Sequence, residues 1–222
     1  EAEEELMNLI GLDDLKESVQ RWIKHIAVQK RRFERGRTTR KPTLHMTFKG
    51  NPGTGKTTVA RIIGKLLRSL DLLSKGHFIE ASRSDLVGEY QGHTAIKVKE
   101  LIKKALGGIL FIDEAYSLVQ GENDTFGKEA VDTLIAEMEN NRDDLVVILA
   151  GYEDEINQLF RSNPGFKSRV PNHFYFIDYN AEELYQLFKL QIKNELDITE
   201  DALETVQKLI KEAKEAGKIT RD

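Results

Sequence analysis

The sequence of 222 residues contains no cysteine and only four prolines. Without cysteine, the chain cannot form disulfides, cysteine-ligated zinc or iron–sulfur sites, and it has no thiol nucleophile. It also lacks a basic-then-apolar signal segment and any apolar run near the ~20 residues that span a bilayer. These absences predict a cytoplasmic protein without a membrane partner. Because the first residue is not Met and the last residues follow a helical pattern closely, we expect a piece of a longer chain.

Neither sign of charge dominates the sequence. Its 33 Lys and Arg residues stand against 37 Asp and Glu residues, which gives a net charge of -4. Nucleic-acid-binding proteins usually present a basic field, so nucleic acid is not a favoured partner. A local basic cluster is nevertheless present. It is interpreted either as a solvated helix end and linker or as a site for a phosphorylated effector, an acidic partner or nucleic acid. Its members are Lys30, Arg31, Arg32, Arg35, Arg37, Arg40 and Lys41.

Helical and strand-like patterns alternate along most of the chain. Apolar spacing between residues 6 and 35 predicts a leading helix or a pair of helices. Beyond it, strands are predicted at 44–48, 77–81, 109–112, 145–150 and 174–177, with helices at 59–67, 95–106, 128–140 and 154–160. Residues 121–127 are polar and are predicted to form a loop. Apolar strands that alternate with helices predict a parallel α/β sheet covered on both faces.

A glycine-rich turn follows the first predicted strand and opens a helix. It matches G-x-x-x-x-G-K-[ST], a phosphate-binding loop, in the strand–loop–helix setting that this motif requires. Its glycines let backbone N–H groups turn towards phosphate oxygens, Lys56 reaches the terminal phosphates, and Thr57 offers a hydroxyl to Mg²⁺. The alternatives are a plain glycine turn at a helix start and a dinucleotide site, although the latter lacks a third glycine at Thr58. The motif consists of Gly50, Asn51, Pro52, Gly53, Thr54, Gly55, Lys56 and Thr57.

Two adjacent carboxylates, Asp113 and Glu114, follow the apolar run at 109–112. Open α/β sheets bind ligands at the carboxyl ends of their strands, so we expect this acid pair to face the phosphates. Asp113 suits Mg²⁺, directly or through water, and Glu114 can take the proton from an attacking water. The alternative is an acidic cap on a helix that begins near Ala115. Together with the phosphate loop, the acid pair predicts hydrolysis of a nucleoside triphosphate.

These motifs and several further segments give the sequence a family resemblance. It resembles the AAA+ ATPases, and more closely the branch that holds the red-type Rubisco activase CbbX and stage V sporulation protein K, with the sporulation protein nearer. The resemblance implies a P-loop NTPase with a five-stranded parallel sheet and a helical lid. It also implies ATP and Mg²⁺ as ligands and a homo-oligomer, a hexameric ring with nucleotide sites between subunits. The further segments are 44–46, 85–90, 111–116, 149–152 and 162–169.

The resemblance assigns the nucleotide contacts residue by residue. It places an adenine pocket near Ile10 and Gly11. Phosphate and magnesium contacts follow from the phosphate loop and from the first carboxylate of the acid pair. The expected ATP-binding residues are therefore Ile10, Gly11, Pro52, Gly53, Thr54, Gly55, Lys56, Thr57, Thr58 and Asp113, with Thr57 and Asp113 as the Mg²⁺ ligands.

Two residues receive roles outside the phosphate loop from the same resemblance. Tyr90, followed by Gln91 and Gly92, falls at the aromatic pore-loop position that grips a threaded polypeptide, and a tyrosine packed on its own helix start is the alternative. Arg169 falls at the arginine-finger position, where a neighbouring subunit stabilises charge in the transition state. Arg161 is its rival, and for either arginine an ordinary surface ion pair is the alternative.

The sequence departs from the family pattern at two points. Tyr152 stands where many members hold an Asn or Thr that polarises the attacking water, so that role is left unassigned. The Arg that a later lid helix usually supplies is absent from these residues. We expect three regions: an N-terminal helical segment at 1–41, an α/β nucleotide-binding core at 42–178, and the start of a truncated helical lid at 179–222.

The leading hypothesis is therefore an ATPase that remodels an unidentified protein client. Lys56, Glu114 and Arg169 would act in hydrolysis, and Tyr90 would engage the client. A small-molecule kinase or GTPase switch is a second hypothesis, but no Asn-Lys-x-Asp motif for guanine occurs. A nucleic-acid-associated ATPase is the third, which the net negative charge disfavours and the basic cluster supports.

Overall fold

The computed structural model describes residues 1–38, 41–90, 92–193 and 199–218. Arg40 of the basic cluster and Gln91 of the predicted pore loop lie outside these ranges, as do residues 194–198 and 219–222 of the predicted lid. No helix within the described ranges is long and apolar enough to cross a membrane.

The described residues form five strands, ten α-helices and a short 3₁₀ helix. The strands are β1 (Met46–Gly50), β2 (Phe78–Ala81), β3 (Ile109–Ile112), β4 (Val146–Gly151) and β5 (Asn172–Phe176). The helices are α1 (Ala2–Met7), α2 (Asp13–Glu34), α3 (Lys56–Ser69), α4 (Arg83–Leu86), α5 (His93–Ala105), α6 (Thr125–Asn140), α7 (Glu153–Ser162), α8 (Pro164–Arg169), α9 (Ala181–Ile192) and α10 (Glu200–Glu215), and the 3₁₀ helix spans Ala115–Leu118.

All five strands pair in parallel, in the order β2-β3-β4-β1-β5. This confirms the predicted five-stranded parallel sheet. Because the strands are parallel, their carboxyl ends share one edge of the sheet. The phosphate loop leaves β1 and the acid pair leaves β3 at that edge, with β4 between them.

Each face of the sheet has its own apolar core. Successive side chains of a strand point to opposite faces. In β3, Ile109 and Phe111 pack with α1, α2 and α3, whereas Leu110 and Ile112 pack with α4 to α8. Trp22 of α2 lies edge-on to Phe174 of β5, with ring centroids 5.8 Å apart. The long helix α2 is thus part of the sheet's own core.

A buried histidine connects β1, β4 and α6. The His45 side chain is 1% exposed. The Val147 N–H donates to its Nδ1 at 3.0 Å, so Nε2 holds the proton and donates to the Met138 carbonyl at 3.0 Å. Burial lowers the pKa of His45 to about 4. The imidazole is therefore neutral near pH 7 and satisfies two backbone groups.

The C-terminal helices α9 and α10 differ from the rest in burial. In α9 the buried residue is Tyr185, and α10 buries none of its side chains. Asn180 and Glu183 form a capping box at the start of α9, with an N–H···O distance of 2.9 Å from Glu183 to Asn180. Gln207 of α10 donates to Glu182 of α9 at 3.2 Å. The predicted region boundaries at 41/42 and 178/179 stay predictions.

The predicted loop at 121–127 is wrong in its second half. Helix α6 begins at Thr125, because the Asp124 side chain accepts a hydrogen bond from the Gly127 N–H at 2.8 Å and so caps the first turn. The expected helix near Ala115 is a single 3₁₀ turn. Helices α4 and α8 were not predicted, since four to six residues are too few to establish a helical period.

Candidate nucleotide site

The phosphate loop, residues 50–57, connects β1 to the first turn of α3. Gly53 and Gly55 have φ angles of 74° and 90°, which side chains with a Cβ rarely adopt. Gly55 is the N-cap of α3 and provides no side-chain cap. The first N–H groups of an α-helix have no partner inside the helix, so those of Lys56 and Thr57 remain available to an anion.

Gly50 is required by a close approach of backbones. A Cβ atom at this position would lie 2.4 Å from the Phe176 carbonyl oxygen of β5. The loop therefore starts tightly packed against the neighbouring strand. Any larger residue at position 50 would move the loop away from the sheet edge.

Lys56 lies under the loop and is 8% exposed. Its Nζ donates to the carbonyl oxygens of Gly50 at 2.9 Å and Asn51 at 2.7 Å. Burial lowers the pKa of Lys56, while the negative charges of Asp113 and Asp178 act to raise it. The ammonium thus interacts with Asp113, the first carboxylate of the acid pair.

The acid pair leaves β3 through an unusual backbone turn. Glu114 has a φ of 46° and is the N-cap of the 3₁₀ helix, and its N–H donates to Asp113 Oδ1 at 3.0 Å. A non-glycine residue in this left-handed conformation costs about 1–2 kcal/mol. Such strain is concentrated at functional sites. Asp113 is half-buried and Glu114 is exposed, so both can meet a ligand from solvent.

Two tyrosines border the acid pair. Burial, followed by the charge of Glu114, raises the pKa of Tyr116 to about 12, so its hydroxyl keeps its proton and can donate to the Glu114 carboxylate. Tyr152 follows β4, and its ring centroid lies 6.2 Å from that of Tyr116. Tyr152 therefore lies next to the acid pair. Sequence reasoning assigned no role to Tyr116.

The expected adenine side is formed where three segments meet. Ile10 and Gly11 lie in the turn between α1 and α2. Gly11 has a φ of 62°, and a Cβ atom there would lie 2.5 Å from Glu183 Oε1 of α9. The Tyr179 hydroxyl donates to the Thr54 carbonyl at 3.4 Å. The structure thus brings the first turn, the phosphate loop and the start of α9 together.

Asp178 is a site residue that sequence reasoning missed. The Asn51 side-chain amide donates to both of its carboxylate oxygens, at 2.9 and 3.0 Å. Asp178 and Asn51 also line a cavity of about 420 Å³ beside the loop, together with Lys49, Tyr152 and Tyr175. The contact joins residues 127 positions apart, and local sequence patterns give no signal for it.

The oxygen donors near the loop fit Mg²⁺. Within the described ranges, no group of three or more His, Cys, Asp or Glu residues could hold a metal alone. Mg²⁺ commonly binds one or two protein oxygens and takes its other ligands from water and substrate phosphates. Thr57, in the first turn of α3, and Asp113, after β3, supply a hydroxyl and a carboxylate of that kind. They would hold the ion only together with a bound nucleotide.

Two predicted site residues lie elsewhere. Arg169 ends α8, where its Nε lies 3.6 Å from Glu139 Oε2 and its Nη1 donates to the Gly165 carbonyl at 3.3 Å. Tyr90 is 66% exposed, and its ring centroid is 5.6 Å from that of His93. Neither contact involves the phosphate loop of the same chain. Arg161, the rival arginine, is exposed in the last turn of α7.

Comparison with known families identifies the chain. The model of the ATPase family associated with various cellular activities (AAA) matches residues 46–176. The chain belongs to the AAA family of ATPases. This match covers β1 to β5 and includes both the phosphate loop and the acid pair. The ligand of this family is ATP with Mg²⁺.

Named relatives of this AAA-family chain confirm the branch predicted from the sequence. Stage V sporulation protein K of Bacillus subtilis is 50% identical over 203 residues, which are 91% of this chain and 63% of the relative. Protein CbbX of Cereibacter sphaeroides is 51% identical over 180 residues, which are 81% of this chain and 58% of the relative. The chain thus spans about three fifths of these relatives.

A solved structure supports the fold independently. The FIGL-1 AAA domain, crystallised with ADP, superposes with a TM-score of 0.61 at 22% identity, and the match covers 91% of this chain and 65% of that one. At that identity the similarity extends to the fold alone. It agrees with the parallel sheet and the helical C-terminal part of this AAA domain.

Proposed function

We propose that this chain binds ATP with Mg²⁺, hydrolyses it, and uses the free energy to move Tyr90 against a protein client. The proposal depends mainly on one observation. The phosphate loop and the acid pair leave the same sheet edge, and the Lys56 ammonium interacts with Asp113. A buried cation beside a carboxylate, under a loop of free N–H groups, suits a magnesium-bound polyphosphate.

The binding roles follow from position. Backbone N–H groups from Gly53 to Thr58 would bind the phosphates, with Pro52 fixing the loop ahead of them, and Lys56 would exchange its carbonyl partners for the terminal phosphate oxygens. Ile10 and Gly11 would contact adenine. Bound Mg²⁺, held by Thr57 and Asp113, would neutralise charge that develops on the transferred phosphate.

Glu114 is proposed as the general base. It is exposed, adjacent to Asp113, and held in a left-handed backbone turn that follows β3. A protonated Tyr116 would orient its carboxylate by donating a hydrogen bond. Water activation of this type contributes roughly 10²–10⁴-fold to rate.

The Glu114→Gln variant tests this assignment. Glutamine keeps the side-chain size but cannot accept a proton, so ATP should still bind while turnover falls by about 10²-fold or more. Binding is measured with a fluorescent ATP analogue and turnover by phosphate release. Glu122→Gln is the matched control, because Glu122 is an exposed carboxylate in the loop that precedes α6. Normal turnover in Glu114→Gln would reject the base assignment.

We propose that Arg169 acts on the nucleotide bound by a neighbouring copy in a homo-oligomeric ring. From family membership we expect this ring to be a hexamer. To act there, Arg169 must leave Glu139, from which it is 3.6 Å away. The two side chains are 31% and 48% exposed, so the pair is partly screened by solvent and its loss should cost little. Arg169→Ala should lower turnover in the assembled protein and leave ATP binding by the single chain intact.

Tyr90 is proposed as the residue that engages the client. Its ring is 66% exposed, although large aromatic side chains are usually mostly buried. An exposed rigid ring gives contact area at a low cost in side-chain entropy. Tyr90→Ala should therefore keep basal ATP turnover and lose client remodelling, and normal remodelling would overturn the role. The client and a cytoplasmic location stay predictions.

The basic cluster supports one other function, that of a nucleic-acid-associated ATPase. Arg31, Arg32, Arg35 and Arg37 are exposed, whereas Lys30 donates to the Leu70 carbonyl at 2.7 Å. Binding to nucleic acid through such residues would weaken steeply with salt. Salt-sensitive DNA binding with DNA-stimulated turnover would favour this alternative over a protein client.

A further inference from the structure

A largely buried ion pair joins α4 to the loop that precedes α6. Arg83, the first residue of α4, lies with Nη1 2.8 Å from Asp124 Oδ2. The two side chains are 24% and 10% exposed. If the two segments separated, or if one partner were removed, the other charge would stay buried without compensation. The ion pair therefore favours contact between α4 and the loop that precedes α6.

Arg83 also holds the end of the 3₁₀ helix that follows the acid pair. Its Nη1 donates to the Ser117 carbonyl at 3.0 Å and to the Leu118 carbonyl. Glu114 is the N-cap of the same short helix. One guanidinium therefore lies a single helical turn from the proposed general base, with an intact backbone element between them.

Asp124 fixes the other side of the contact. It accepts hydrogen bonds from the N–H groups of Gln120 and Gly127, both at 2.8 Å. Burial acts to raise the pKa of Asp124, but the hydrogen bond from Arg83 and the two backbone donors lower it to about 2. The carboxylate stays charged, and it ties the loop to both α4 and α6.

Helix α4 is connected directly to the residues that precede and include Tyr90, 87–90, called the Tyr90 segment below. Leu86 is fully buried and packs in the same core as Leu118. The Gly88 N–H donates to the buried Thr94 hydroxyl at 3.0 Å, which closes the ends of the segment that contains Tyr90. Lys97 of α5 donates to the Val87 carbonyl at 3.2 Å. A shift of α4 would therefore displace the base of the Tyr90 segment.

We propose that Arg83 is a positioning residue that couples the nucleotide state at Glu114 to the position of the Tyr90 segment. A movement of the acid pair displaces the 3₁₀ helix, Arg83 carries this displacement to α4, and α4 moves the segment that follows it. Thermodynamic linkage makes the coupling reciprocal, so a client bound at Tyr90 also changes the affinity of the nucleotide site for its ligand. The inference rests on the proposed ATPase function and adds the connection between its two ends.

The absence of cysteine permits a direct test. Glu89 is exposed beside Tyr90, and Glu89→Cys creates one labelling site for an environment-sensitive fluorophore. The labelled chain also contains Glu114→Gln, so that bound ATP persists. The fluorescence emission of the ATP-bound chain is compared with that of the ADP-bound chain. We expect a nucleotide-dependent difference that Arg83→Met reduces by about fivefold or more, while affinity for a fluorescent ATP analogue is retained.

Matched variants separate coupling from simple loss of structure. Arg142 has the same 24% exposure as Arg83, and it lies 3.2 Å from Glu139, which is 48% exposed. Arg142→Met therefore removes an equally buried arginine, from a more exposed pair, away from the Tyr90 segment. It should keep the full emission difference. Arg83→Lys retains the charge and should restore part of the difference, and thermal melting identifies any variant that is unfolded.

The possible outcomes distinguish this inference from the proposed function. An emission difference that survives in Arg83→Met, or that is lost equally in Arg142→Met, would overturn the coupling role while leaving the ATPase proposal intact. If the chain with the native Arg83 binds ATP but shows no emission difference at all, nucleotide does not move the Tyr90 segment and both proposals fail. Absence of ATP binding would refute the proposed function itself.

Discussion

The central strands and the C-terminal helices are built in opposite ways. Every side chain of β3 is fully buried, whereas α10 buries none and leaves Leu209 57% exposed. The acid pair at the nucleotide edge therefore directly follows a strand whose side chains are fully buried. The C-terminal helices contribute little apolar burial, so their position is determined mainly by a few polar contacts where they join the core.

Those junction contacts all involve the candidate site. Asp178 binds Asn51, Tyr179 binds Thr54, and Glu183 lies against Gly11. Segments with few buried apolar contacts open at low free energy, and mobile elements of binding sites come from this class. The difference in burial between the two regions predicts a rigid phosphate site. It also predicts that the C-terminal helices change position with the nucleotide that is bound.

The largest effect is expected from a core leucine. Leu110→Ala removes a fully buried side chain of β3 and should lower the free energy of unfolding by about 2–5 kcal/mol. Denaturant unfolding followed by fluorescence of Trp22, the sole tryptophan of the sequence, measures this change. A loss below about 1 kcal/mol would mean that the sheet is much less rigid than its packing indicates.

The buried histidine should make core stability depend on pH. The folded pKa of His45 is about 4, against 6.5 for an ordinary histidine. Above pH 6.5 neither state is protonated and stability is complete. As pH falls from 6.5 to 4, the unfolded chain takes up the proton first, so the free energy of unfolding declines by up to about 3 kcal/mol.

The pH dependence has an internal control. His25 is exposed on α2, so His25→Asn should unfold with the same pH profile as the unchanged chain. His45→Asn should flatten the profile between pH 6.5 and 4, at the cost of lower stability at pH 7. A profile that stays unchanged in His45→Asn would exclude His45 as its source.

A smaller effect is expected at the junction. Asp178→Asn keeps a hydrogen-bonding partner for Asn51 and removes a negative charge near the phosphate position. ATP should bind roughly 2–5-fold more tightly at low salt, since exposed charges contribute at most about 1 kcal/mol. The gain should shrink at high salt because of screening. Weaker binding would instead indicate that the charged contact orders the loop for ATP.

The smallest effect is expected on the C-terminal surface. Leu209→Ala changes the same residue type as Leu110→Ala, but at a position that is 57% exposed. The free energy of unfolding should change by no more than about 0.5 kcal/mol. A loss comparable to that of Leu110→Ala would show that α10 is covered in the assembled protein, and the contrast between the two regions would then disappear.

The sequence predicted the parts of this molecule whose signals are local. Continuous apolar runs marked β3 and β4, and the glycine spacing around Lys56 marked the phosphate loop. Family resemblance added the five-stranded sheet and the branch. The roles of Tyr90 and Arg169 stay predictions, because each role, as proposed, involves a second chain.

What the sequence missed depends on contacts between distant positions. Arg83 and Asp124 are 41 positions apart by number, and Asn51 and Asp178 are 127 apart. No periodicity links such pairs, since they meet only after the strands have taken their order. The start of α6 was misplaced for a related reason: Asp124 caps it, and a glycine at position 127 fits because a Cβ there would lie 2.2 Å from the Leu118 carbonyl oxygen.

The two carbonyl groups that accept from Lys56 also affect the kinetics of nucleotide entry. The Lys56 ammonium donates to them at 2.7 and 2.9 Å. An ammonium group has three protons, so one remains for an incoming phosphate before either carbonyl group is displaced. Association should therefore proceed in a single phase in rapid-mixing experiments, because the first contact breaks neither hydrogen bond.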